Sequence, residues 1–132
     1  MQMKINDQNY VDEAEKVIKT LMNKKDRNGK SVAIVTTSKL RNLLAMSADI
    51  YNEVMNQGDE QLSSDICSRR EYLRVRFLYE AGREDTVKDL VNESHIIDVL
   101  KGVNKSRKNY ILFNRYMEAL VAFRKYLVEK DD

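Results

Sequence analysis

The chain contains no proline, and its four glycines, Gly29, Gly58, Gly82 and Gly102, are isolated from one another along 132 residues. Proline and glycine are the strongest interrupters of a helix, so a chain this poor in them can stay helical over long stretches. The glycines fall at the seams between five segments whose apolar residues recur at helical spacing. The expected fold is therefore all-α: a compact bundle of five helices, or six if the fourth segment divides. A bundle by itself says little about function, because that architecture carries many.

At this length one domain spanning residues 1–132 is expected, burying roughly two thirds of its unfolded surface. Charged residues make up 33% and hydrophobic ones 42%, which argues against disorder beyond the ends. No apolar run approaches the roughly 20 residues needed to span a bilayer. The stretch from Met1 to Asp12 has neither the basic nor the apolar region of a signal peptide. The expected location is the cytoplasm, with no membrane partner.

The first helix is expected from Asn9, as its cap, to about Lys25, with Val11, Ala14, Ile18, Leu21 and Met22 at helical spacing. Asp12–Lys16 and Glu15–Lys19 are expected as ion pairs on its outer face. The run Ser31–Val35 (SVAIV) has no second strand to pair with and reads as an extended lead-in. Thr36 or Thr37 caps a second helix that runs to about Met55, with Leu40, Leu43, Leu44, Ser47, Ile50, Tyr51 and Val54 on one face. Lys39, Arg41, Asn42, Asp49, Asn52 and Glu53 fall on the other.

The third helix, to about Ala81, carries one apolar stripe of Leu62, Ile66, Leu73 and Phe77 and a second, opposite stripe of Tyr72, Val75 and Tyr79. A helix apolar on two faces is expected at the centre of its bundle. The charges lie in the flanks, Arg70 and Arg74 along one, Arg69 and Arg76 along the other. The fourth segment, Glu84 to Lys101, shifts its apolar phase after Ser94, which suggests two short helices meeting near Asn92. The last helix is expected from Asn104 or Ser106 to about Glu129, burying Leu112, Phe113, Tyr116, Met117, Leu120, Phe123 and Leu127.

Catalytic chemistry finds little support. Cys67 and His95 are single examples of their kind, so no disulfide forms within the chain and the usual zinc sites lack ligands. Cys67 reads as a small core residue. No glycine-rich phosphate loop is present. The arginine–histidine spacing of helical HEPN-type ribonucleases is missing, since no arginine falls in the eleven residues before His95. Asp49/Glu53 and Asp59/Glu60 read as solvated faces rather than acid–base pairs. No catalytic residue, metal or cofactor is expected.

Charge is spread unevenly although the net is only +2. From Lys101 to Lys130 there are eight bases (Lys101, Lys105, Arg107, Lys108, Arg115, Arg124, Lys125, Lys130) against Glu118 and Glu129. From Asp49 to Asp65 there are five carboxylates and no base. Such segregation lets one face attract a polyanion, although exposed helix faces carry charge in any case. Basic residues alternate with aromatics at Tyr72, Arg74, Arg76, Phe77 and Tyr79, and again at Lys108–Tyr110, Arg115–Tyr116 and Arg124–Lys125–Tyr126. Cations neutralise phosphates without reading sequence, and aromatics can stack on bases. Core packing is the favoured reading of the aromatics; the cations have no such buried alternative. A helix-turn-helix is not expected, because the connection after Met55 is too long for its turn.

Three strings, TTSKLRNLL (36–44), YLRVRFLYEAGRE (72–84) and RYMEALVAF (115–123), together resemble the small subunit of the type III-A CRISPR effector, the Csm ribonucleoprotein. The likeness runs from about Tyr10 to Tyr126 in the same order. It implies a helical bundle without nuclease activity, stacked in several copies along a filament of repeat-associated backbone subunits, with a large polymerase-like subunit in the same assembly. It also implies a role in holding the duplex of guide RNA and target RNA. A guide delegates sequence recognition to base pairing, so such a subunit need only meet backbone and shape. Carried over by motif, Lys39 and Arg41 are the first candidates for phosphate contact, then Arg74 and Arg76, Arg83, and Arg115. Arg69, Arg70, Arg107 and Lys108 are candidates on charge alone. Arg74, Arg76 or Arg83 could instead pair with Glu80 or Glu84 inside the bundle. The segment around Gly58 and the acidic end, Asp131 and Asp132, are assigned no RNA contact. The alternative is a helical protein–protein adaptor whose charges only keep it dissolved.

Overall fold

The structure is a computed structural model describing residues 5–128. Six helices follow one another among these residues: α1 Tyr10–Met22, α2 Thr37–Asn56, α3 Ser64–Arg83, α4 Asp85–Ser94, α5 Ile96–Gly102 and α6 Arg107–Leu127. No sheet accompanies them; two isolated bridges, Lys25↔Ser31 and Gln61↔Ser106, are the β-type pairings described. The expected all-α bundle is present, in its six-helix form.

Local chemistry starts three of the helices. The side chains of Thr36, Ser63 and Ser106 accept the backbone N–H groups of Lys39, Ile66 and Asn109 at 3.1, 3.2 and 3.1 Å, satisfying donors that the first turn leaves without an intrahelical partner. Asn9 occupies the cap position of α1 without a side-chain cap bond. Its Oδ1 instead accepts the N–H of Asn6 at 2.7 Å, and Asn6 accepts the N–H groups of Gln8 and Asn9. Lys19 pairs with Glu15 as expected, whereas Lys16 turns to Glu13 rather than Asp12.

The phase shift after Ser94 is a real break. His95 separates α4 from α5 with a left-handed backbone, φ 55°, a conformation that ends a helix and that histidine tolerates better than branched residues. Gly29 (φ 79°) closes the turn after α1, where Asp26 Oδ1 accepts the N–H groups of Asn28 and Lys30. Gly82 lies inside α3 and Gly102 ends α5, so these two are not linkers. Residues 32–36 are non-helical, as expected of a lead-in to α2.

The helix at the centre is α6, not α3. Tyr110, Leu112, Phe113, Asn114, Tyr116, Met117, Leu120 and Arg124 are all buried, a set too wide for one stripe. In contrast, α3 buries only Ile66, Leu73, Phe77 and Ala81. Its opposite stripe is in solvent: Tyr72, Val75, Leu78 and Tyr79 are each more than half exposed. The expectation of a two-sided central α3 fails because the helices packed on it, α2, α4 and α5, cover the face of Ile66, Leu73, Phe77 and Ala81 and leave the second stripe to solvent.

Several polar groups inside the bundle are answered by hydrogen bonds between helices. Ser47 Oγ donates to Asn114 Oδ1 at 2.7 Å, and Tyr110 OH donates to the carbonyl of Ser47 at 2.8 Å, joining α2 to α6. Tyr116 OH donates to the carbonyl of Ser94 at 2.9 Å. Tyr110 and Phe113 rings meet at 5.5 Å, and Phe113 meets Phe77 at 6.3 Å, spacings at which aromatic pairs attract. Cys67 is half-buried against this core.

Candidate nucleic-acid interface

Two ion pairs fix how α2 lies along α3. Lys39, in the first turn of α2, reaches Glu84 just beyond the end of α3, with Nζ 2.5 Å from Oε2. Glu53, near the end of α2, pairs with Arg69 near the start of α3. The two helices therefore run antiparallel and enclose a shallow groove. Lys39, Asn42, Glu80, Arg83 and Glu84 line its one end. Met46, Asp49, Arg69, Tyr72 and Arg76 line its middle.

Four of the ten candidate cations, Lys39, Arg69, Arg76 and Arg83, belong to this groove. Arg69, Arg76 and Arg83 recur every seven residues, so they form one row along α3 with steps of about 10.5 Å. Each but one has an internal acid. Arg83 Nη1 meets Glu80 at 3.3 Å and its guanidinium also lies 5.8 Å from the Tyr79 ring centre, within cation–π range. Arg76 has no ion-pair or hydrogen-bond partner among the described residues. The hydrogen bond from Lys39 holds the Glu84 carboxyl below the usual carboxylate range, with the Lys39 and Arg83 charges acting the same way against a partial desolvation.

The other six candidates are not brought together there. Arg41 is exposed and without a partner among the described residues. Two positions after Lys39, it points about 160° away around the helix, so the two first-ranked cations serve different surfaces. Arg115 is likewise exposed and unpartnered, on the outer side of α6. Arg74 lies on the far flank of α3, 3.0 Å from Glu71.

Arg70, Arg107 and Lys108 have structural engagements at the opposite end of the bundle. Arg70 donates to the carbonyl of Asn104. Arg107 Nε donates to the carbonyls of Val54 and Gln57 at 3.2 and 3.1 Å, closing the C-terminus of α2. Lys108 Nζ stands 3.9 Å from Asp7.

The charge segregation seen along the chain is largely undone in space. The N–H of Leu62 donates to the carbonyl of Lys105, and that of Arg107 to the carbonyl of Glu60, at 2.8 and 2.9 Å. These bonds lay the acidic α2–α3 connection beside the basic start of α6. Asp59, Glu60, Lys105, Arg107 and Lys108 line one cleft of about 560 Å³.

Arg124 departs furthest from expectation. It is 3% exposed, and its Nε donates to the carbonyl of Val35 at 2.6 Å. The premise that the cations have no buried alternative fails here. The signal was present: Arg124 follows Phe113, Met117 and Leu120 at the 4–3–4 spacing of the buried face. The preference for core packing of the aromatics holds for Phe77, Tyr110 and Tyr116 but not for Tyr72, Tyr79 or Tyr126, the last 85% exposed.

The family model for Csm2 of type III-A matches residues 15–130. This chain belongs to the Csm2 family. A Mycobacterium tuberculosis protein named CRISPR system Cms protein Csm2 is 40% identical over 129 residues, covering 98% of this chain and 99% of its own length. A Streptococcus thermophilus protein of the same name is 41% identical over 127 residues (96% and 98%), and one from Enterococcus italicus 37% identical over 120 (86% and 85%). The resemblance read from the three strings is thus upheld as Csm2 small-subunit kinship. All ten candidate cations fall within the matched region. No helix among the described residues is long and apolar enough to cross a membrane.

Proposed function

We propose that this Csm2-family chain is a non-catalytic, RNA-binding structural subunit of a type III-A CRISPR interference complex. It stacks in copies along the filament and touches the backbone of the guide RNA–target RNA duplex, beside the backbone subunits and the large subunit, in the cytoplasm. The observation that carries the RNA reading is the row Arg69–Arg76–Arg83, facing Lys39 across the α2–α3 groove, with Arg76 unanswered by the protein itself. Cations at a regular spacing on a rigid helix suit a regular polyanion, and they require no base contact. Arg41 and Arg115, exposed and unpaired among the described residues, offer phosphate contacts on surfaces away from the groove. Arg74 contributes from the far flank, and Arg70, Arg107 and Lys108 in the second rank, since each already holds a protein group.

The exposed stripe of α3 favours protein contact as well. A monomer seldom leaves neighbouring tyrosines, valine and leucine in water without a use for them. Within the same assembly Val75, Leu78 and Tyr79 suit a neighbouring subunit, which leaves the groove, with Tyr72 on its edge, for RNA. The adaptor reading would keep the stripe and discard the groove.

The test is recovery of the tagged chain from its host under mild salt, followed by sequencing of the RNA that accompanies it. Short RNAs with one constant repeat-derived end, together with a large subunit and repeated backbone subunits, are expected. Protein partners without enriched RNA would sink the RNA reading and leave the adaptor.

A further inference from the structure

Midway along the α2–α3 groove lies a cleft of about 190 Å³, smaller than the roughly 300 Å³ at which drug-sized ligands are held. Its floor is apolar, with Ile50 and Leu73 nearly inaccessible and Met46 beside them. Tyr72, 61% exposed, stands at its mouth. Two charged groups share the cleft without pairing to each other: Asp49 on α2 and Arg76 on α3, neither with a partner among the described residues. Their other neighbours differ in this respect, since Arg69 is tied to Glu53.

We propose that this cleft is a subsite for one unstacked nucleobase and its phosphate, with guanine preferred. The inference rests on the RNA-binding reading above and sharpens it. An aromatic face beside an apolar floor suits a planar ring, and a methionine thioether packs well against such rings. The Arg76 guanidinium answers the phosphate. The Asp49 carboxylate accepts hydrogen bonds and donates none. It therefore selects bases by their donors: guanine offers two adjacent N–H groups on its Watson–Crick edge, whereas adenine sets an acceptor beside its single amino group. A base presented in this way must be outside any duplex, as single-stranded RNA readers require.

Other occupants match less of the cleft. An apolar side chain of a partner protein would leave Asp49 and Arg76 facing it unanswered. A partner's arginine would satisfy Asp49 but bring a third guanidinium beside Arg69 and Arg76. A nucleotide answers ring, carboxylate and guanidinium together.

The full chain, labelled with carbon-13 at methionine methyls and tyrosine rings and with nitrogen-15 at arginine side chains, would be titrated with GMP, AMP, CMP and UMP and followed by NMR. GMP is expected to move the Met46 and Tyr72 signals most strongly. Asp49→Asn, which removes the charge at constant size, is expected to weaken GMP about tenfold while leaving UMP nearly unchanged. Arg76→Ala is expected to weaken all four nucleotides by a similar factor. No shift at Met46 and Tyr72 with any nucleotide, or equal affinities indifferent to Asp49→Asn, would overturn the proposal. Stronger occupation of the cleft by N-acetylarginine amide would overturn it in favour of a protein partner. A duplex RNA titration separates the two levels: signals from arginine side chains of the groove that move with duplex, beside a silent cleft, remove the subsite alone. Silence with both probes removes the backbone reading as well.

Discussion

Lys39 Nζ lies 2.5 Å from Glu84 Oε2, so a candidate phosphate ligand on α2 is held by an acid at the junction of α3 and α4. The same arrangement recurs along the groove, with Arg69 on Glu53 and Arg83 on Glu80. RNA docking there, as proposed, would have to displace carboxylates as well as counterions. The pairs are partly exposed, so each is readily exchanged for phosphate.

Glu84→Gln releases Lys39 without changing side-chain size. RNA affinity of the assembled complex is expected to rise about threefold at low salt, and the gain to shrink as salt increases. The pair also has a predictable pH response. The hydrogen bond from Lys39, chiefly, lowers the Glu84 pKa in the folded state. Its stabilising contribution is present above the ordinary glutamate value, about 4.3, and is lost as pH falls through the lowered value. Carbon-13 titration of Glu84 checks the direction; a midpoint above the ordinary value contradicts it.

Arg41→Ala and Arg115→Ala remove exposed guanidiniums with no partner among the described residues. Each is expected to change folding stability by less than about 0.5 kcal/mol. Each phosphate contact removed should reduce the salt slope of RNA binding by about 1. Filter binding of the complex across a salt series, beside thermal melts of the chain, separates the two effects. Unchanged slopes would take both residues out of the interface.

Arg124→Ala is expected to behave in the opposite way. Its guanidinium is buried and donates to the carbonyl of Val35, itself 1% exposed. The loss of stem packing and an orphaned carbonyl should cost about 3 kcal/mol. Urea unfolding measures this; a stable variant that binds RNA poorly would instead place Arg124 in the interface.

Ser47→Ala leaves the buried amide of Asn114 short of a partner, since Ser47 Oγ donates to Asn114 Oδ1. A loss of about 1–2 kcal/mol is expected. The double variant Ser47→Ala/Asn114→Ala should show a coupling of about 1 kcal/mol in a mutant cycle. Strictly additive losses would mean that the contact carries no energy of its own.

Val75→Asp places a charge in the middle of the exposed α3 stripe, where Val75 is 55% exposed. Melting of the isolated chain should move by less than about 0.5 kcal/mol, while incorporation into the assembly falls. Co-purification with the backbone subunits provides the measurement. Full incorporation would mean that this stripe faces water in the complex.

What the sequence by itself determined was set by near neighbours. Thr36 caps a helix because the N–H it accepts is three residues away, and the same holds for Ser63 and Ser106. The buried face of α2 and the break after Ser94 follow from helical periodicity alone. The three family strings carried identity for a similar reason, being readable without any contact. What only the tertiary structure decided depends on residues far apart in the chain. Whether Lys39 is paired turns on Glu84, 45 residues on, and the burial of Arg124 turns on Val35, 89 residues back. Whether the second stripe of α3 is core or surface turned on which face the neighbouring helices cover, and they cover that of Ile66, Leu73, Phe77 and Ala81. Charge and apolarity are properties of a residue, but pairing and burial belong to the packing of helices, which periodicity does not specify.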